Sequence, residues 1–137
     1  MRSVAEKLGV REGLRAYFLD APDDARVTIA SDALAVSQTL RGEFDLIFAF
    51  VINQRKMRSV FRKLQSHLKV GGRLWLCWPK GRGLNSDLTV QTVISIGYDY
   101  NMVESKAVSI DVTWSALKFT FPRPETIYGN SYGTLPR

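Results

Sequence analysis

The chain has 137 residues, 45% of them hydrophobic and 23% charged, and a net charge of +6. That length suits one packed core, and that composition excludes a disordered or fibrous chain. The longest strongly apolar run, Leu46 to Ile52, is too short to cross a bilayer and Met1 to Val10 lacks an apolar signal-peptide core, so a cytoplasmic protein with no membrane partner is expected.

Ser3-Val4-Ala5-Glu6 has capping-box spacing and Gly9 supplies a stop, which predicts a short opening helix. Leu14 to Leu19 reads as the first strand, ended by the turn chemistry of Asp20-Ala21-Pro22-Asp23-Asp24. Arg26 to Ala30 reads as a second short strand, with Ser31 or Asp32 capping a helix through Leu34, Val36 and Leu40 to a stop at Gly42. Phe44 to Ile52 is apolar on both alternating faces apart from Asp45, the pattern of a central parallel strand covered on both sides. Asn53 then caps a helix to about Lys69, with Met57, Val60, Phe61, Leu64 and Leu68 on one buried stripe and Gly71-Gly72 ending it. Arg73 to Trp78 repeats the doubly apolar pattern as a second central strand, and Pro79 stops it. Ser86 or Asp87 caps a helix carrying Leu88, Val90, Val93, Ile94 and Ile96 and closed at Gly97. Val103 to Ile110 and Ala116 to Phe121 read as two strands whose short connection suits an antiparallel pair. One domain over residues 1–121 is expected, followed over 122–137 by an irregular extension with turn chemistry and few apolar anchors.

Alternating strands and helices predict a three-layer, Rossmann-like α/β fold, with a mostly parallel sheet and an antiparallel C-terminal edge pair. An exposed edge from those last strands offers a geometry for homo-oligomer formation. Ligands in such sheets bind beyond the carboxyl ends of strands where the strand order reverses, which directs attention to Asp20 to Asp24, Asn53 to Lys56 and Pro79 to Gly83.

The run Phe44-Asp45-Leu46-Ile47, followed by a helix and then Leu68-Lys69-Val70-Gly71-Gly72-Arg73-Leu74-Trp75-Leu76, resembles the fourth strand, helix and fifth strand of class I S-adenosylmethionine-dependent methyltransferases. Leu8 to Gly13 is similar to that family's lead-in, and the final strand pair to its antiparallel edge, so the resemblance spans most of the chain. With Trp78-Pro79-Lys80 and Thr113 to Phe119, the whole pattern is similar to a group of small bacterial proteins classed as a domain of unknown function, with a truncated core of that kind. The resemblance implies S-adenosylmethionine as cofactor, held at Asp20, Ala21, Pro22 and Asp23, with Asp32 as the acid for the ribose hydroxyls. The chain departs from the family at that place. Methyltransferases of this class put glycines straight after the first strand so that backbone amides approach the cofactor, whereas Leu19 to Asp24 contains none and Pro22 removes a donor. The stretch between Asp24 and Phe44 is also short for the family's second and third strand units. The departure points to a methyltransferase-like protein that is a non-catalytic binding or scaffold domain, with an active S-adenosylmethionine-dependent methyltransferase as the alternative.

The charge is unevenly placed. Residues 53–82 hold nine Lys/Arg and no acid, while residues 1–52 hold six Lys/Arg and eight Asp/Glu. Arg55 and Lys56 fall in the first turn of a helix, where the macrodipole disfavours cations. Either Asp20, Asp23 and Asp24 pair with Arg55, Lys56, Lys80 and Arg82, or Asn53, Arg55, Lys56, Lys80 and Arg82 bind an anion such as phosphate. The acid-free segment also raises a nucleic acid, another polyanion or an acidic protein as partner, although no nucleic-acid-binding motif accompanies it. Trp75 and Trp78 read as core residues and Trp114 as the better ligand-stacking candidate. Cys77 reads as an inert buried thiol and His67 as a surface or boundary residue. With one cysteine and one histidine the chain has no disulfide and assembles no cysteine/histidine metal site, so none is expected.

Overall fold

The structure, a computed structural model, describes residues 2–123, so the expected extension lies outside the described residues from position 124 onward. Helix α1 (Val4–Lys7) opens with a capping box, in which Ser3 Oγ accepts from the Glu6 N–H at 3.1 Å and Glu6 Oε1 from the Ser3 N–H at 2.8 Å. Strand β1 (Arg15–Leu19) follows on its apolar run.

Between β1 and the central strands the expected order is inverted. Asp23–Ile29 is helix α2 rather than a strand, and in place of a helix from Ser31 there is a 3₁₀ turn (Ser31–Ala33) followed by a short strand, β2 (Ala35–Ser37). Pro22 presets the entry to α2 at φ −62°, and Asp23 and Asp24 complement the positive end of the helix. The stop is Ala30 in the left-handed conformation, φ 64°, a position where glycine is the usual signal. One strand unit therefore stands where the resemblance implies two.

The middle of the chain follows the expected pattern, as strand β3 (Phe44–Phe50), helix α3 (Gln54–Gln65) and strand β4 (Leu68–Pro79). Three glycines serve packing or local geometry instead of ending helices. Helix α3 stops at Gln65 without one, and Gly71 and Gly72 lie inside β4, where a Cβ at Gly72 would stand 2.9 Å from the Lys69 carbonyl oxygen and 3.0 Å from that of Phe44. Helix α4 (Val90–Asp99) is capped by Thr89, not by Ser86 or Asp87, and runs past Gly97. A Cβ at Gly97 would lie 2.1 Å from the Phe119 ring. Strands β5 (Val103–Ser109) and β6 (Trp114–Thr120) follow.

Among the described residues six strands form one sheet in the order β2-β1-β3-β4-β6-β5, parallel from β2 to β4, with β6 antiparallel to both β4 and β5. Helices cover both faces. Met57, Phe61 and Leu64 of α3 and Val93, Ile94 and Ile96 of α4 pack on Ile47, Leu74, Leu76 and Phe119. Leu8, beside α1, and Ala25 and Ile29 of α2 pack against Ala16, Phe48, Trp75 and Cys77 on the opposite face. Trp75 Nε1 donates to the Leu8 carbonyl at 3.0 Å and pins the end of α1 to the sheet. No helix among the described residues is long and apolar enough to cross a membrane.

Candidate functional site

From β1 the sheet grows in both directions, toward β2 on one side and β3 on the other. That reversal leaves a crevice above the carboxyl ends of β1 and β3, the usual ligand position in an open α/β sheet. A cavity of about 430 Å³ occupies it. Asp20 and Pro22 supply one wall, Phe50 to Asn53 the floor and far wall, and Lys56 and Trp114 the rim.

Each of these groups is fixed by local structure. Asp20 has φ 53°, so an aspartate performs the left-handed turn for which glycine is the common choice. Ala21 is half-buried against the α1/α2 core. Trp114, expected in a turn, begins β6 and packs edge-on against Phe50, ring centroids 5.0 Å apart, so only part of the indole reaches the cavity. Asn53 caps α3 by accepting the Lys56 N–H at 2.8 Å.

The α3 N-terminus, considered above as an anion site, already has an anion from the chain. Asp87 Oδ1 accepts the Gln54 N–H at 2.8 Å, and Gln54 Nε2 donates to the Asp87 carbonyl at 2.9 Å. The distance between positions 54 and 87 in the chain hides this contact from sequence reasoning. Among the described residues the ion pairs within 4.0 Å are Arg58–Asp99 and Lys69–Asp45, so the expected pairing of Asp20, Asp23 and Asp24 with Arg55, Lys56, Lys80 and Arg82 does not form. Arg55 is exposed. Lys80 donates its backbone N–H to the Thr113 carbonyl at 2.8 Å and its Nζ to Ser109 Oγ. Lys80 and Arg82 line a separate cavity of about 490 Å³ with Trp78, Thr89 and Ser115.

Asp32 is also placed elsewhere. It precedes β2 instead of following it, and with Asp23 it lines a cavity of about 300 Å³ beside α2. Gln38 and Thr39 follow β2, so no acid stands at that strand's carboxyl end.

The acid-free segment is divided by the fold. Arg58 pairs with Asp99, Arg62 lies over the Tyr100 ring at 5.2 Å, and Lys69 pairs with Asp45. Burial pushes the Asp45 carboxyl up, but the Arg15 N–H at 2.9 Å and Lys69 outweigh it and hold the group below its ordinary value. Burial pushes the Cys77 thiol well up, which leaves it an inert core group. His67 Nδ1 lies 2.7 Å from the Gly42 carbonyl oxygen at the start of the sheet. Among the described residues no three His, Cys, Asp or Glu side chains come together as a metal site.

No family model matches the sequence, and no curated protein matches it either. Solved structures do match the fold. A ribosomal protein L11 methylase from Lactobacillus delbrueckii subsp. bulgaricus is similar with a TM-score of 0.55 at 13% identity, over 88% of this chain and 75% of that one. A TehB-like SAM-dependent methyltransferase from Corynebacterium glutamicum gives 0.55 at 12% identity, over 89% of each chain. Magnesium protoporphyrin IX methyltransferase from Synechocystis, with bound SAH, gives 0.54 at 12% identity, over 82% of this chain and 75% of that one. The core is thus Rossmann-like and methyltransferase-like, with a mostly parallel sheet and an antiparallel edge.

Proposed function

We propose that the chain is an S-adenosylmethionine-dependent methyltransferase that binds its cofactor in the cleft above β1 and β3. The observation that carries this reading is the placing of an apolar cavity of about 430 Å³ at the strand reversal, with Asp20 making the left-handed turn after β1. The volume lies in the range of about 300–1,000 Å³ typical of small-molecule sites. The residues fit the group in kind. The Asp20 carboxylate suits an aminoacyl ammonium, while Val51, Ile52, Phe50 and the edge of Trp114 offer apolar and aromatic surface to a nucleoside. When bound, this cofactor supplies an electrophilic methyl group. The chain's part is to orient it, and Asn53 and Asp87 hold the start of α3 so that Lys56 stays at the rim.

A second reading, a non-catalytic binding or scaffold domain, is favoured by Pro22, which lacks an N–H where an amide donor is useful, and by Gln38 and Thr39 in place of an acid after β2. Isothermal titration with S-adenosylhomocysteine separates the two. Saturable micromolar binding, weakened about tenfold or more in Asp20→Ala, supports the cofactor site, since a charge-assisted hydrogen bond contributes roughly 1.5–3 kcal/mol. Transfer of a labelled methyl group to an acceptor then establishes the activity. No heat at high ligand concentration overturns the methyltransferase reading and leaves the scaffold.

A further inference from the structure

On the α1 side of the sheet, β4, β5 and β6 bring together cations that the cofactor cleft does not use. Trp75 of β4 stands opposite Lys118 of β6, and Lys118 stands opposite Lys106 of β5. Two lysines directly opposed across a ladder destabilise a sheet unless something offsets their repulsion. Arg73 joins them from β4, and the three line a cleft of about 130 Å³ with Leu8 and Gly9, rimmed by Arg2 and Lys7. Gly9 leaves room for the guanidinium, since a Cβ there would lie 3.0 Å from Arg73 Nη1.

The three strand cations are half-buried and make no ion pair within 4.0 Å among the described residues. Neither the Arg73 nor the Lys118 side chain makes a hydrogen bond or ion pair to a described residue, and Lys118 Nζ lies 6.0 Å over the Trp75 ring. Lys106 Nζ reaches only a neutral partner, the Lys7 carbonyl, at 3.0 Å. The one acid lining the cleft is Glu6, whose carboxylate accepts the Ser3 N–H in the capping box and forms no ion pair with the three strand cations. Burial, with Arg73 and Lys106 close by, holds the Lys118 ammonium below the ordinary lysine value. Solvated surface lysines need no such explanation, because they do not converge on one cleft.

We propose that this cleft binds a phosphate-type oxyanion, held by the Arg73 guanidinium and the Lys106 and Lys118 ammonium groups. A guanidinium fork matches two phosphate oxygens, and ammonium groups add point charges. The volume is below the roughly 300 Å³ at which drug-sized ligands are accommodated, so it suits one or two phosphoryl groups and not a whole nucleotide. The site shares no lining residue with the cleft above β1 and β3, so it stands or falls independently of the methyltransferase reading.

The test is titration with pyrophosphate at constant ionic strength, followed by calorimetry and by thermal melting. Saturable binding is expected, with a rise in Tm that sodium chloride at equal ionic strength does not reproduce. Lys118→Met and Arg73→Gln each lower the affinity at least about tenfold, the loss expected for one charge-assisted hydrogen bond, while Lys63→Gln on exposed α3 leaves it unchanged. Without ligand, Lys118→Met melts at or above the wild-type temperature because it relieves repulsion, which separates lost binding from lost folding. Pyrophosphate acting no better than chloride, or binding both cleft variants as tightly as the wild type, overturns the proposal. A short single-stranded oligonucleotide that displaces pyrophosphate, with affinity falling steeply with salt, identifies the phosphate as part of a nucleic-acid backbone. Pyrophosphate that stays bound in its presence identifies a free phosphate or diphosphate.

Discussion

The two faces of the sheet are built to different standards of cover. One carries α3 and α4, with 12 and 10 residues, and packs them into a continuous core that includes Phe61 stacked on Tyr100 and edge-on to Phe119. The other carries α1 and α2, with four and seven residues, and the part of β4, β5 and β6 near α1 bears Arg73, Lys106 and Lys118. Both faces bury apolar strand residues, but on the thinly covered one three strand cations stand at the cleft beside α1. Net charge in sequence therefore says less about a site than whether the fold supplies a partner for each charge.

Breaking the well-covered face should have the largest effect. Phe61→Ala removes a fully buried ring with two aromatic neighbours and is expected to cost about 3–5 kcal/mol in urea denaturation, without altering pyrophosphate binding. Gly97→Ala forces a methyl into the Phe119 ring and is expected to cost roughly 1–3 kcal/mol by the same measurement. On the thin face, Trp75→Phe leaves the Leu8 carbonyl without its donor, at about 1–3 kcal/mol, and hydrogen exchange in α1 should rise more than in α3. Equal exchange in both helices would break the comparison. Asn53→Ala removes the α3 cap and is expected to lower stability by about 1 kcal/mol.

The smallest effect is one of pH. Asp45 is held below its ordinary value, so its contribution is fully present above the unfolded carboxyl pKa of about 3.9 and is lost as pH falls through the lower folded value. The stability gap between wild type and Asp45→Asn, followed by thermal melting, should therefore be steady from about pH 7 to 5 and close below about pH 4.

How much of this was legible in the sequence depended on whether the deciding contact was local. The doubly apolar runs of β3 and β4 and the α3 stripe follow from periodicity, and the Asn53 cap and the Ser3–Glu6 box span only three positions. The stretch after β1 is not legible locally because Val27-Thr28-Ile29 resembles a strand, while Pro22 and two aspartates make a helix start and Ala30 ends it without glycine. Gly71, Gly72 and Gly97 suggested stops, yet Gly72 answers to a neighbouring carbonyl and Gly97 to a distant ring. A cavity lies at the turn after β1 and the start of α3, where the sequence directs attention, whereas Asp32 lines a different cavity, and Asp87 and Phe50 give no local sign of their place. The basic cleft assembles from three strands whose register no local pattern encodes.

The burial of Cys77 has a practical consequence. The chain has one thiol, fully enclosed near the carboxyl end of β4, between β3 and β6. A thiol reagent can modify it only after the centre of the sheet opens, so the labelling rate in native buffer is a clock for that opening with a single, unambiguous hand. Run with and without S-adenosylhomocysteine or pyrophosphate, the same clock reports whether either ligand braces the sheet, with no label introduced into the chain beforehand.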